Sequence, residues 1–336
     1  MNKRIKSLDF IRGFAICGIL LINIPAFVMV TEDMNLPEPT HIESMISSLI
    51  DILVTKKFFG LFSILFGIGI GIFMDNCKSK GISPYRFMSR RLTFLLILGI
   101  IHMVAIFWGS ILVPYALVGF IVMGLYGLSS IILKNISISI MSLYLVSVII
   151  KSFHIEFMGL DFIVNDSILI LNFFIIGLYM VKSRYIYSED SIVSKINRNK
   201  YIFLSSVSIM IIVVIIYIAG TYQSKDNLDI SLLAIPQTIL YFLILQNISL
   251  KMEKMVFAFE MIGKMAFTNY VMQSIIGGIL ISVLGIVFPN SVQILYLALI
   301  IISINFICSY LILKYFKQGP LEYIWRKLTY RTLKKS

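Results

Sequence analysis

The sequence has few charged residues. Only 14% of its 336 residues are Asp, Glu, Lys or Arg, whereas soluble domains carry about 25%. So few polar side chains cannot cover a water-soluble globule, and the mean hydropathy of +0.94 also excludes a disordered chain. The apolar share of 59% instead favours a protein that is embedded in a membrane.

Cysteine and histidine are scarce, with three residues of each. Cys17, Cys77 and Cys308 are odd in number and lack metal-type spacing, so we predict neither a disulfide framework nor a zinc site. The chain also lacks HExxH and serine-elbow motifs. We therefore predict no bound metal. Its apolar runs hold no mid-span carboxylate, which weakens the case for a proton-coupled transporter.

The net charge of +12 would suit nucleic-acid binding only if the basic residues shared one solvated face, and here they are divided among short segments. If the N-terminus lies inside, 25 of the 29 Lys and Arg residues fall on the cytoplasmic side. This distribution follows the positive-inside rule. We predict an inner-membrane-type, multi-pass protein with both termini in the cytoplasm, the lipid bilayer as partner and no nucleic acid.

Apolar runs that end in polar clusters predict about ten membrane-spanning helices. The fold class is therefore an all-α polytopic helical bundle, with residues 1–336 forming a single integral membrane domain. The predicted spans lie near residues 12–30, 58–74, 92–109, 113–133, 136–153, 167–181, 201–219, 231–250, 265–288 and 293–314.

Two amphipathic segments lie outside these runs. Residues 42–57 begin with apolar side chains at helical spacing, which predicts a helix on the outer membrane surface. Residues 320–330 predict an interfacial helix that lies flat on the inner leaflet, opened by Pro320 and anchored by Trp325. Glu322 and Arg326 would form an i, i+4 ion pair on this helix.

Polar residues within the spans are few, and each is a functional candidate because burying a polar group in lipid costs free energy unless it is paired. His102 lies in the third span and Asn23 in the first. Arg12 precedes Asn23 by 11 residues, and Arg91 precedes His102 by the same spacing. Eleven residues correspond to about three helical turns and about 16 Å. We expect Asn23 and His102 at one depth, near the bilayer midplane.

This geometry suggests a site with two levels. Arg12, Arg90 and Arg91 would form an anion cradle, with Asp9 orienting Arg12, and the two polar residues would face a cavity above it. The alternative is that the arginines are snorkelling anchors and that His102 bonds to a neighbouring helix. His41 and His154 are expected on the surface, in outer loops.

The ninth span opens with a polar face that carries Thr268, Asn269 and Gln273. Asn269 and Gln273 are i, i+4 neighbours, so they either join helices or line a substrate cavity. The glycine run of Gly67, Gly69 and Gly71 has no preceding strand, which excludes a phosphate loop and favours close helix packing.

Five motifs occur in order along the chain: Leu8–Gly13 through Asn23, Phe58–Gly69, Arg91–His102, Gly263–Ser274 and Gly319–Arg326. They resemble the bacterial YeiB family, whose members share domain of unknown function 418. The resemblance implies a place among the transmembrane acyltransferases that modify sugars at the membrane, and a location in the bacterial inner membrane. One departure is Ser110, which stands where family members usually carry an Asp that could orient the histidine.

The resemblance implies O- or N-acyl transfer from cytoplasmic acyl-CoA, the expected co-substrate, to a glycan, lipid or small-molecule acceptor reached from the outer side. His102 would then be the general base, Asn23 an oxyanion donor with Asn269 as a second candidate, and the arginines the binders of the CoA phosphates. Two alternatives stay open. One is a transporter or flippase of a lipid or small polar metabolite, and the other is a structural membrane protein. The oligomeric state is open as well.

Overall fold

The computed structural model describes residues 5–28, 38–153, 155, 158–188, 191–219 and 228–330, and the regular structure within these ranges is helical throughout. His154, which is expected in an outer loop, lies outside the described residues. In chain order the helices are α1 (Lys6–Asn23), α2 (His41–Leu53), α3 (Lys57–Ser79), α4 (Pro84–Ala105), α5 (Leu112–Gly124), α6 (Ser130–Ser152), α7 (Leu160–Ile163), α8 (Asp166–Lys182), α9 (Ile192–Ala219), α10 (Leu228–Lys251), α11 (Glu253–Lys264), α12 (Ala266–Val283), α13 (Ser291–Tyr315) and α14 (Pro320–Thr329).

The all-α membrane bundle is confirmed. Among the described residues, eight helical segments are long and apolar enough to cross a membrane, and α5 with its 3₁₀ extension forms a shorter apolar helix, Leu112–Gly127. Eight of the ten predicted runs overlap these eight segments, the run near 201–219 coincides with α9, and the run near 113–133 coincides with the shorter α5. The number of ten spans and the cytoplasmic position of both termini remain predictions.

Glycines allow two pairs of helices to approach very closely. A Cβ atom on Gly263 of α11 would lie 1.8 Å from the carbonyl oxygen of Asp9 in α1, and one on Gly13 would lie 1.9 Å from the carbonyl of Phe259. Gly67 of α3 meets the backbone of Phe174 in α8 in the same way. Small residues at such crossings let backbones pack directly on one another, so α1–α11 and α3–α8 form tight pairs in the core.

The amphipathic helix predicted at residues 42–57 is present but shorter, because α2 ends at Leu53 and α3 begins at Lys57. Lys56 adopts a left-handed conformation (φ 68°), which breaks the helix between them. The side chains of Thr40 and Glu43 form a reciprocal capping box at its start. His41 is exposed, as predicted, although it belongs to this helix rather than to a loop. The apolar face of α2 is exposed as well, at Ile42, Met45, Leu49 and Leu53.

The C-terminal helix predicted at residues 320–330 is present as α14 (Pro320–Thr329), and its position on the inner leaflet stays a prediction. α14 packs against α4 and α12. Trp325 is half-buried against other side chains of the protein, its ring centroid 5.5 Å from that of Phe267. It therefore stabilises the docking of α14, and its role as an anchor in the lipid interface stays a prediction.

Candidate functional site

A cavity of about 1140 Å³ lies between α1, α3, α4, α5, α11, α12 and α14. This is slightly larger than the range of about 300–1,000 Å³ that is usual for small-molecule sites. Three of the walls belong to the spans that the sequence singled out, which are α1, α4 and α12. The walls from α3, α5, α11 and α14 come only from the tertiary structure.

One end of this cavity is strongly basic. Arg12 and Arg91, both predicted as anion binders, line it. Arg12 is held by Asp9, with a distance of 3.1 Å between Nη1 and Oδ1, which is the orienting contact that the i, i+3 spacing predicted. The basic end is defined by six cationic side chains: Arg12, Lys80, Arg91, Lys264, Arg326 and Lys327.

Arg90 departs from the predicted cradle. Its guanidinium lies over the ring of Phe87, 5.4 Å from the centroid, and Arg90 is not part of the cavity wall. Successive residues of a helix point about 100° apart, so Arg90 and Arg91 cannot face the same space. The cradle contains Arg91 and omits its neighbour.

Arg91 is clamped between two aromatic rings. Its guanidinium carbon lies 4.0 Å from the centroid of Trp325 and 4.4 Å from that of Phe73. The indole Nε1 of Trp325 also donates a hydrogen bond to the Arg91 carbonyl at 3.0 Å. Stacking on ring faces leaves the edge of a guanidinium available for anions. The clamp therefore fixes the plane of the arginine at the basic end.

Glu322 of α14 caps the start of α12. Its carboxylate accepts hydrogen bonds from the backbone N–H groups of Phe267 (2.8 Å) and Thr268 (3.1 Å) and from Thr268 Oγ1 (2.5 Å). Thr268 Oγ1 accepts in turn from the N–H of Leu321 at 3.2 Å. The predicted Glu322–Arg326 pair is thus wrong, because the carboxylate is bound to the orphan N–H groups of a helix N-terminus. Thr268 joins helices at this place.

Tyr270 of α12 lines the cavity opposite the basic end. Its hydroxyl accepts a hydrogen bond from the N–H of Ile111 at 3.1 Å and also interacts with the side chains of Asn23 and Ser110. The ring of His102 lies 5.5 Å from that of Tyr270, centroid to centroid. The structure therefore brings Asn23 and His102 to the same tyrosine.

His102 and Asn23 lie behind the cavity wall. His102 is 1% exposed, and within the described part of the chain neither of its ring nitrogens has a hydrogen-bond partner. Both residues lie at the ends of their helices: Asn23 is the last residue of α1, and His102 is three residues from the end of α4. Both therefore lie where their α-helices end, and α1 continues as a 3₁₀ helix over Ile24–Phe27. The predicted position at the bilayer midplane remains a prediction.

Asn269 serves as a link between helices. Its Nδ2 donates to the carbonyl of Ile262 at 2.9 Å and to Ser309 Oγ at 2.8 Å. Both amide hydrogens are used, so Asn269 is unsuitable as the predicted oxyanion donor. One turn further, Gln273 is 2% exposed, and its Nε2 has no partner among the described residues. Neither Asn269 nor Gln273 lines the cavity.

Sequence reasoning missed several residues of the site. Tyr270 lies within the polar segment that opens the ninth span, but nothing in the sequence marks it as a cavity residue. Phe62, Phe66 and Tyr115 form an aromatic wall from α3 and α5. No signal in the sequence separates these aromatic residues from those that face lipid.

These features define a multi-pass α-helical membrane protein with a cavity that is basic at one end and aromatic at the other. Residues 192–332 match the family model described as "Protein of unknown function (DUF418)". The uncharacterized proteins YxaH of Bacillus subtilis and YeiB of Escherichia coli are 24% and 25% identical to the chain, over 98% of it and 95% and 97% of their own lengths. An uncharacterized 39.9 kDa protein of Bacillus acidopullulyticus is 26% identical over 98% of the chain and 95% of its own length. The chain thus matches the DUF418 family model over residues 192–332 and is similar to YeiB and YxaH along nearly its whole length, in agreement with the resemblance of the five motifs.

Proposed function

We propose that this protein is a membrane acyltransferase that uses acyl-CoA as donor. The observation that carries the proposal is the polarity of the cavity. Its basic end would bind the CoA phosphates, and its wall leads to Tyr270, which contacts both Asn23 and His102. Arg91 is the central binding group, because a stacked guanidinium can form charge-assisted, bidentate bonds with phosphate oxygens.

In the proposed reaction the hydroxyl or amine of an acceptor attacks the thioester carbonyl. A new C–O or C–N bond forms, the C–S bond breaks, and the CoA thiolate leaves and is protonated. His102 takes the proton of the acceptor, since both of its ring nitrogens lack partners within the described residues. The hydroxyl of Tyr270 and the amide of Asn23 would hold the developing oxyanion.

Ser110 occupies the position where a carboxylate is usual in the family. Its side chain is 5% exposed and interacts with the Tyr270 hydroxyl. A serine carries no charge to stabilise an imidazolium, so His102 must act as a base without a carboxylate partner at this position. We propose that Ser110 positions Tyr270 instead.

The first test is binding of acetyl-CoA and free CoA to the purified protein in nanodiscs. Arg91→Gln should weaken binding at least tenfold, because a hydrogen bond to a charged group contributes about 1.5–3 kcal/mol. Arg90→Gln is the matched control and should change affinity less than twofold, since it removes the same charge one residue away and outside the cavity. Equal losses in the two variants would contradict a specific phosphate site.

Turnover is the second test. His102→Gln should keep the protein folded and abolish acyl transfer in proteoliposomes that contain an extract of candidate acceptors. The same cavity also suits a lipid phosphate, which is the basis of the alternative function, a flippase. Movement of a labelled lipid phosphate without covalent change, together with no binding of CoA, would favour the flippase and contradict the acyltransferase.

A further inference from the structure

We infer that the apolar part of the cavity holds an acyl chain longer than acetyl, and that Gly69 is the residue that leaves room for it. The inference deepens the proposed function, because it names the class of acyl group that the donor would carry. It rests on the arrangement of α3 along the cavity.

One face of α3 lines the cavity over two helical turns. Phe62, Phe66 and Gly69 follow one another at i, i+4 and i+7, and Leu65 and Ile70 lie beside them. Residues at this spacing share a face of a helix. The wall on this side is therefore a continuous apolar strip of about 12 Å, at 1.5 Å per residue from Phe62 to Ile70.

The Tyr115 hydroxyl beside this strip is already bonded. It donates to the carbonyl of Phe59 at 2.8 Å and lies 2.7 Å from Ser63 Oγ. A sugar, or the two amides of a pantetheine arm, would lose hydrogen bonds to water here and gain few in return, and this costs free energy. A hydrocarbon chain has no such cost, so the strip favours the acyl group.

Gly69 differs from the two glycines next to it. A Cβ atom on Gly67 would meet the backbone of Phe174 at 2.0 Å, and one on Gly71 would meet Val181 at 2.9 Å, so both are needed for packing against α8. A Cβ atom on Gly69 would have no heavy atom of its surroundings within 4 Å, and Gly69 lines the cavity. Packing between helices does not explain this glycine, whereas free space for a ligand does.

The two ends of the cavity differ in charge in the same way as the two ends of an acyl-CoA. An acyl-CoA carries its phosphates at one end and its chain at the other, which matches a basic end and an apolar strip. The occupant to which we commit is the acyl chain of the donor.

The test is a chain-length series of soluble thioesters, from acetyl-CoA through butanoyl- and hexanoyl-CoA to octanoyl-CoA, with free CoA as reference, on the full-length protein in nanodiscs. Each buried methylene favours binding by about fourfold at most. We expect octanoyl-CoA to bind at least tenfold more tightly than acetyl-CoA. Gly69→Leu should weaken octanoyl-CoA at least tenfold and leave free CoA within twofold, with Gly69→Ala in between.

Gly278→Leu is the matched control. Gly278 also lies within a helix and has open space at its Cβ, but it is outside the cavity wall, so this variant should bind the whole series like the wild type. The melting temperature of each variant in the absence of ligand shows whether it is folded.

Three other results have distinct meanings. Equal affinity for all chain lengths in the wild type would overturn the inference and leave the CoA site intact. An equal loss of free CoA and octanoyl-CoA in Gly69→Leu would overturn it as well, because the glycine would then border the pantetheine arm. If no CoA compound binds, an octyl phosphate series is the second probe: binding that depends on chain length and on Gly69 would support the chain pocket while contradicting acyl-CoA as donor.

Discussion

The cap that Glu322 places on α12 is the contact whose removal gives the clearest result. Its carboxylate receives three hydrogen bonds from the start of α12, and bonds to a charged group contribute about 1.5–3 kcal/mol each. If Glu322 were fully buried, the three hydrogen bonds together would contribute more than about 4 kcal/mol. Glu322 is half-buried beside the cavity, so water replaces part of the hydrogen bonding that the substitution removes. We expect Glu322→Ala to lower the free energy of unfolding by about 2–4 kcal/mol.

Glu322→Gln keeps the size and one acceptor oxygen, so we expect about half of that loss. The assays are the melting temperature in detergent and hydrogen exchange of α14, which should lose protection when it no longer docks on α12. Thr268→Val should lose much of its effect in the Glu322→Ala background, because the two residues share one bond.

Glu43→Gln is the control for this prediction, since it alters a carboxylate that caps the exposed helix α2 far from α14. It should leave the exchange of α14 unchanged. If α14 in Glu322→Ala stays as protected as in the wild type, the cap does not hold the helix, and the reasoning is refuted.

Three further predictions concern the frame of the site. Gly263→Ala should prevent stable folding, because its Cβ would lie 1.8 Å from the Asp9 carbonyl oxygen; the yield of monodisperse protein measures this, with Gly278→Ala as control, and a normal yield would contradict the tight α1–α11 pair. Asn269→Leu should destabilise the protein by about 2–3 kcal/mol, since it leaves Ser309 and the Ile262 carbonyl without their partner. Ser309→Ala should lower the free energy of unfolding only a little once Asn269 is replaced. Fully additive effects of the two substitutions on that free energy would argue against the hydrogen bond. Burial and the nearby Asp75 carboxylate raise the pKa of Tyr187 to about 12, so the contribution of the protonated tyrosine to stability is complete below pH 10 and is lost as the pH rises through 12. Between pH 9 and 12 the melting temperature of Tyr187→Phe should therefore fall less than that of the wild type. An identical fall in both proteins would contradict this account.

Part of the candidate site follows from helical geometry alone. The equal spacing of 11 residues from Arg12 to Asn23 and from Arg91 to His102 is about three turns, and both polar residues do meet at Tyr270. Asp9 also holds Arg12, as the i, i+3 spacing indicated. The two spacings and the Asp9–Arg12 contact lie within single helices, so they need no knowledge of the packing between helices, whereas the approach of Asn23 and His102 to Tyr270 of α12 depends on that packing.

Other parts could not follow from the sequence, because they depend on which faces meet. Arg90 and Arg91 are neighbouring arginines that the sequence cannot tell apart. Only Arg91 lines the cavity, where it is stacked between Phe73 and Trp325. Glu322 is four residues from Arg326 and was paired with it, but α14 packs so that the carboxylate reaches the N-terminus of α12. Gly67, Gly69 and Gly71 form one run, in which two residues pack on α8 and one borders the cavity.

The class of the protein follows from its amino-acid composition. A chain that is 14% charged and 59% apolar must satisfy its backbone hydrogen bonds internally in lipid, and helices do so within one segment, which is why the helical runs were readable from local composition. The tertiary structure decided where the cavity lies and which side chains line it. Lipid and protein interior are about equally apolar to a side chain, so hydrophobicity cannot tell a helix face that borders a ligand from one that faces the bilayer; only the packing of α3, α12 and α14 does that.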